Sequence, residues 1–207
     1  MVTPYSRTLE GLLARTAPVR SPCGHFDENY ILLKTRGLLS SGKALTVPAE
    51  LRILVDYIYK YGSTEPGVFC QAGSSLEGGI IAECLATGES LEGLEFNIHS
   101  VCSALCLFLT SLPDSVIPSR LCEHIVSSTK PHDTLEKLPV SHRNVYVFMI
   151  QLAKELLQRS SVNGLSREKI SLLYAKILYP PVKKKANSAQ KYEKIMKKRS
   201  CFIAMFL

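Results

Sequence analysis

Ile98-His99-Ser100-Val101-Cys102-Ser103-Ala104-Leu105-Cys106-Leu107-Phe108-Leu109-Thr110-Ser111-Leu112-Pro113 is the stretch that decides the fold. Val101, Leu105, Phe108, Leu109 and Leu112 recur at three- and four-residue steps, the period of a helix with one buried stripe. Pro113 ends it, because proline cannot continue the helical hydrogen-bond ladder. The spacing predicts a helix over 98–111. Upstream, Leu51, Leu54, Val55 and Ile58 repeat the same period after Pro48, with Gly62 as the stop. A weaker helix is expected over 75–86, with Leu76, Ile80 and Cys84 inward; Gly78 and Gly79 each cost it about 1 kcal/mol of propensity. Downstream, a short helix after Pro118 carries Leu121, Cys122 and Ile125. Ser141 is placed to cap a long helix with Val145, Phe148, Met149, Leu152 and Leu156 inward. Ser166 is placed to cap another, with Ile170, Leu173, Tyr174 and Ile177, closed by Pro180-Pro181. A last helix over 188–206 shows Tyr192, Ile195, Met196, Phe202, Ile203 and Phe206. Helices with short links and no strand alternation predict an all-α bundle.

Residues 1–46 differ. Pro4, Pro18 and Pro22 break them up, and only Tyr30-Ile31-Leu32-Leu33 could form a strand. A short irregular or β remnant is expected there. The expected organisation is this segment, a helical domain over 47–181 and a basic amphipathic helix over 182–207, the domain's last.

Hydrophobic residues make up 46% of the chain and charged ones 21%, which fits a globular protein and not a disordered one. No apolar run approaches the ~18 residues that span a bilayer, and nothing at the N-terminus resembles a signal peptide. A cytoplasmic protein is expected, and the cysteines agree, being seven with no CxxC pair. The net charge of +7 lies entirely between Val182 and Arg199, where eight cations face one acid, Glu193. The body is neutral, so no basic face invites nucleic acid. Lys183, Lys184, Lys185, Lys197, Lys198 and Arg199, beside Phe202, Ile203 and Phe206, are the candidates for an anionic membrane, endosomal or Golgi. The competing expectation is that the apolar side packs in the domain.

Two constellations suggest ligands and fail. Gly37 to Ala44 nearly spells a phosphate-binding loop, but Ala44 stands where a magnesium-holding Ser or Thr belongs. His99, Cys102 and Cys106 share one helical face, yet a structural zinc needs a fourth ligand that the sequence does not offer. No cofactor and no metal are expected.

The segments Gly67-Val-Phe-Cys-Gln-Ala-Gly73, Ala104 to Asp114, Leu138-Pro-Val-Ser-His-Arg-Asn144 and Asn163-Gly-Leu-Ser-Arg-Glu-Lys-Ile-Ser171, in this order and spacing, resemble the signatures of RhoGAP domains. Asn97-Ile-His-Ser-Val101, Ser111-Leu-Pro-Asp-Ser-Val-Ile117, His142-Arg-Asn-Val145 and Lys154-Glu-Leu-Leu157 look like the RhoGAP-like domain of the type II inositol-polyphosphate 5-phosphatases. Residues 5–20 are similar to the end of the β-sandwich (ASH domain) that precedes it there.

The resemblance implies a surface for small GTPases, Rac-type Rho-family members or others, with Phe69, Cys70, Gln71 and Lys169 facing the partner. It places Cys70 where an active family member has its catalytic arginine. A lysine and an arginine of the long helix fall at Cys106 and Thr110, and an asparagine of the later helix falls at Lys169. Such an arginine contributes about 10³–10⁵ in rate, so a catalytically silent interaction module is expected. A weak GTPase activator and a membrane-surface adaptor are the alternatives. No phosphatase motif is present. The family groove for endocytic adaptor peptides uses a tryptophan that falls at Arg52, which works against such partners. A monomer is expected.

Overall fold

The computed structural model describes residues 45–128, 131–182 and 189–207; the strand expected at Tyr30–Leu33, the phosphate-loop-like 37–44 and Lys183, Lys184 and Lys185 lie outside them. Among the described residues the elements are all helical: α1 (Ala49–Tyr57), a π-helical turn (Ile58–Gly62), α2 (Ser75–Thr87), α3 (Ile98–Ser111), a 3₁₀ turn (Ser119–Leu121), α4 (Cys122–Val126), α5 (Pro131–Leu135), α6 (Val140–Gln158), α7 (Ser160–Asn163), α8 (Arg167–Ile177) and α9 (Ala189–Ala204).

α6 is the axis of the bundle. An ordinary amphipathic helix buries one stripe, whereas α6 buries Asn144 through Ala153 without interruption. Some of its polar groups find partners inside the bundle, while the buried Tyr146 hydroxyl has none among the described residues. Gln151 Nε2 donates to Glu155 Oε1 at 3.0 Å, and the buried Tyr174 hydroxyl of α8 donates to Met149 O at 2.9 Å. At its start, His142 Nδ1 lies 3.0 Å from Val116 O, and Asn144 Nδ2 donates to Thr46 O at 3.1 Å. These bonds tie both the 112–118 link and the chain entering α1 to α6. Ser141 is not the cap. Pro139 stands there with φ −50°, and Ser141 is buried one residue inside the helix. A proline's fixed φ preorganises a first turn, and its missing N–H is one that a helix start leaves unpaired anyway.

α3 has the expected bounds, with Asn97 Oδ1 accepting from His99 N at 2.9 Å. α2 is rotated from expectation: it buries Ile81, Cys84 and Leu85, while Leu76 and Ile80 face outward. Its apolar residues occupy every side, so the period alone does not fix which face packs.

The last helix closes the bundle. α9 lies along α8 and touches α4, burying Met196, Phe202, Ile203 and Phe206. Arg199 corrects one expectation. Instead of facing an anionic surface, it is turned inward, with Nη1 donating to Pro180 O at 2.9 Å and its guanidinium 4.9 Å from the Tyr179 ring. Burial lowers its pKa, and a planar guanidinium tolerates this through stacking and the carbonyl bond. Lys197 and Lys198 are exposed. No described helix is long and apolar enough to cross a membrane.

Phe202→Ala should therefore destabilise the domain by about 3–5 kcal/mol in urea unfolding, because Phe202 is 1% exposed. Lys197→Ala with Lys198→Ala should change it by less than about 1 kcal/mol.

Candidate functional site

The segment from Ser63 to Ser74, between the π-helical turn and α2, presents the residues that the sequence singled out. It is held from both sides. On one side, Gly67 N donates to Asn163 O at 3.0 Å, and Asn163 Nδ2 donates to Ser63 O at 3.1 Å and Leu156 O at 2.8 Å. Asn163 Oδ1 accepts from Leu165 N at 2.9 Å. A fully buried carboxamide thus joins α6, the 163–165 turn and the start of the loop. On the other side, Gly73 N donates to Ser103 Oγ at 3.0 Å and Ser74 N to Ser100 Oγ at 2.9 Å. Ser74 Oγ in turn caps α2.

Gly73 has a steric reason to be glycine. A Cβ there would lie 2.2 Å from Ser100 Cα and 2.7 Å from His99 O, so the loop backbone rests directly on the α3 backbone. Between these anchors, Val68 is buried and Cys70 N donates to Gly67 O at 2.8 Å. Phe69, half-buried, adopts φ +63°, a conformation that costs an aromatic residue of order 1–3 kcal/mol. The loop therefore presents Cys70 and Gln71, both exposed, at its tip.

The remaining candidates surround it unevenly. Cys102 lies beneath the loop, its thiol pushed far up by burial and partly drawn back by the Phe69 backbone amide. Cys106 is half-buried, and burial pushes its thiol up to about 11. Thr110 is exposed but returns its hydroxyl proton to Cys106 O at 2.8 Å on its own helix. Lys169 is exposed and donates Nζ to Gly164 O at 3.0 Å, so its ammonium holds the turn beside the loop. Arg52 lies apart on α1, half-buried, with Nε 3.7 Å from Asp56 Oδ2. Among the described residues no three His, Cys, Asp or Glu side chains converge as a metal site would require. Asn163 and Gly73 are the site residues that spacing did not reveal as anchors, because their partners lie far away in sequence.

A family model for the RhoGAP domain matches residues 48–182. The mouse type II inositol 1,4,5-trisphosphate 5-phosphatase is 31% identical over 79% of this chain. The Dictyostelium discoideum Rho GTPase-activating protein gacFF is 27% identical over 46% of it. The chain spans 16% and 11% of the lengths of these two relatives. Among solved structures, human Rho GTPase activating protein 15 superimposes with a TM-score of 0.66 at 16% identity, over 76% of this chain and 79% of that one. The BH domain of the GTPase regulator associated with focal adhesion kinase does so with 0.64 at 15%, over 76% and 88%.

Two measurements test this geometry. Gly73→Ala should cost about 1–3 kcal/mol, since the new methyl meets backbone that cannot swing away. At neutral pH an alkylating reagent followed by mass spectrometry should label exposed Cys70 and Cys201 first, Cys106 slowly and Cys102 only on unfolding.

Proposed function

Because the chain belongs to the RhoGAP domain family, we propose that it docks small GTPases of the Rho family, Rac-type members included, without accelerating GTP hydrolysis. Cys70 carries this reading. In the family the loop delivers a guanidinium to the nucleotide, where it offsets charge developing in the transition state. A thiol carries no positive charge in any protonation state. Cys106 and Thr110 supply no cation either, and the Lys169 ammonium is engaged with Gly164 O.

Docking does not need that charge. Affinity for a folded surface comes from shape and buried area, while the arginine acts mainly as the transition state forms. The anchoring of the loop by Asn163, Ser100 and Ser103 supports a preserved docking surface. Binding of endocytic adaptor peptides has no such support, because Arg52 brings charge to the position where the family groove has a tryptophan. The membrane reading is weakened as well, since Met196, Phe202 and Ile203 of α9 are occupied by the core.

Single-turnover GTP hydrolysis by a panel of Rho-family GTPases should rise less than about tenfold with the protein present, set against the 10³–10⁵ of an intact finger. Greater acceleration at substoichiometric protein would overturn the reading. Cys70→Arg alone should recover only part of that factor, because residues that act as a unit do not contribute independently.

A further inference from the structure

α2 turns one face to solvent along its whole length. Leu76, Ile80, Glu83 and Thr87 follow one another at steps of four, three and four residues, and all are exposed. Leu76 is 75% exposed and Ile80 45%, so the first half of this stripe is apolar and uncovered. Gly79 lies beside it, and a Cβ there would meet nothing within 4 Å. Glycine weakens a helix interior, and no packing within the chain requires it at this position. The surroundings are acidic. Between Tyr61 and Ser119 the sequence holds seven acids and no lysine or arginine, so the field over α2 is negative.

α9 carries the converse. Its inward side is packed in the core, but Lys194, Lys198, Cys201 and Met205 are all exposed, the last in the turn that follows the helix. They stand at the same steps of four, three and four residues. Lys191 and Lys197, also exposed, add to the charge at the beginning of the stripe. Here the cations come first and the apolar residues last, with Met205 57% exposed.

We propose that a second copy of this chain docks on α2, with its α9 laid antiparallel along the exposed stripe. In that register Leu76 lies opposite Met205, Ile80 opposite Cys201, Glu83 opposite Lys198 and Thr87 opposite Lys194. Steps of four and three residues keep one seam of each helix turned to the other. Gly79 lets the two backbones approach, because interaxial distance depends on the side chains at the contact. Charge selects this occupant: the acidic field repels phosphate-bearing surfaces and attracts the one strongly basic helix the chain possesses. The contact joins two different patches, so association runs head to tail. One helix pair is small beside the ~1,200–2,000 Å² buried by stable complexes, and the association is correspondingly weak. It involves neither the loop tip nor a GTPase, and it stands apart from the docking proposed above.

Sedimentation equilibrium of the full chain, from about 10 µM to about 1 mM, provides the test. At the lower end the monomer should dominate; in low salt the average mass should rise with concentration, with a Kd on the order of 0.1 mM. Raising the salt from about 0.05 M to about 0.5 M should weaken association at least about fivefold, because exposed charges are screened. Glu83→Lys and Lys198→Glu should each weaken it about fivefold, and the chain bearing both should regain it. Both positions are exposed, and an unchanged circular dichroism spectrum and urea midpoint would show that the fold is intact. A monomer at every concentration, association indifferent to salt, or single changes without effect would overturn the proposal. Failure of the doubly exchanged chain to recover would overturn the pairing of α2 with α9.

Discussion

Gly73 lies on the backbone of α3 at a separation no other residue allows, and the site follows from that contact. With the end of the loop fixed to Ser100 and Ser103, the direction of α2 is set by the same few atoms, since Ser74 also caps it. At the other end, Asn163 makes three bonds from inside the core. A loop clamped at both ends cannot wander, so the residue at its tip is held in one geometry. Such preorganisation fixes whatever group the tip carries. Here it presents a thiol.

The bundle around this loop divides its tasks unevenly. α6 supplies much of the core, while α9 and the chain after α8 close the far end through Arg199, Tyr179 and Pro180. The exposed cations of α9 are thus the solvated side of a structural helix. Its packing leaves Lys197 and Lys198 facing solvent while Arg199 turns inward.

How much was legible depended on whether the signal was local. α3 could be read to the residue, because an unbroken stripe runs up to Pro113; its cap, Asn97, shows only in the structure. α2 could be found but not oriented: with Leu76, Ile80, Ile81 and Leu85 on several faces, only tertiary contact chooses. α5 and α7, of five and four residues, are too short to show a period. Pro139 outcompeted Ser141 as the start of α6 because a fixed φ is already helical. Cys70 was legible only through the family resemblance. The anchoring roles of Asn163 and Gly73 were not, since their contacts join residues 100 and 30 positions apart.

The π-helical turn has a consequence for how this sequence can vary in length. Five residues, Ile58–Gly62, wind more loosely than α-helix and in effect hold one extra residue. Losing one residue there would restore ordinary winding and turn everything beyond it by about 100° around the axis. Tyr57 and Tyr61, whose ring centroids lie 4.6 Å apart, would separate, and the strand of chain leading to Cys70 would leave α1 on another side. A one-residue deletion, usually harmless in a loop, would here swing the tip to a new position without touching a single residue of it.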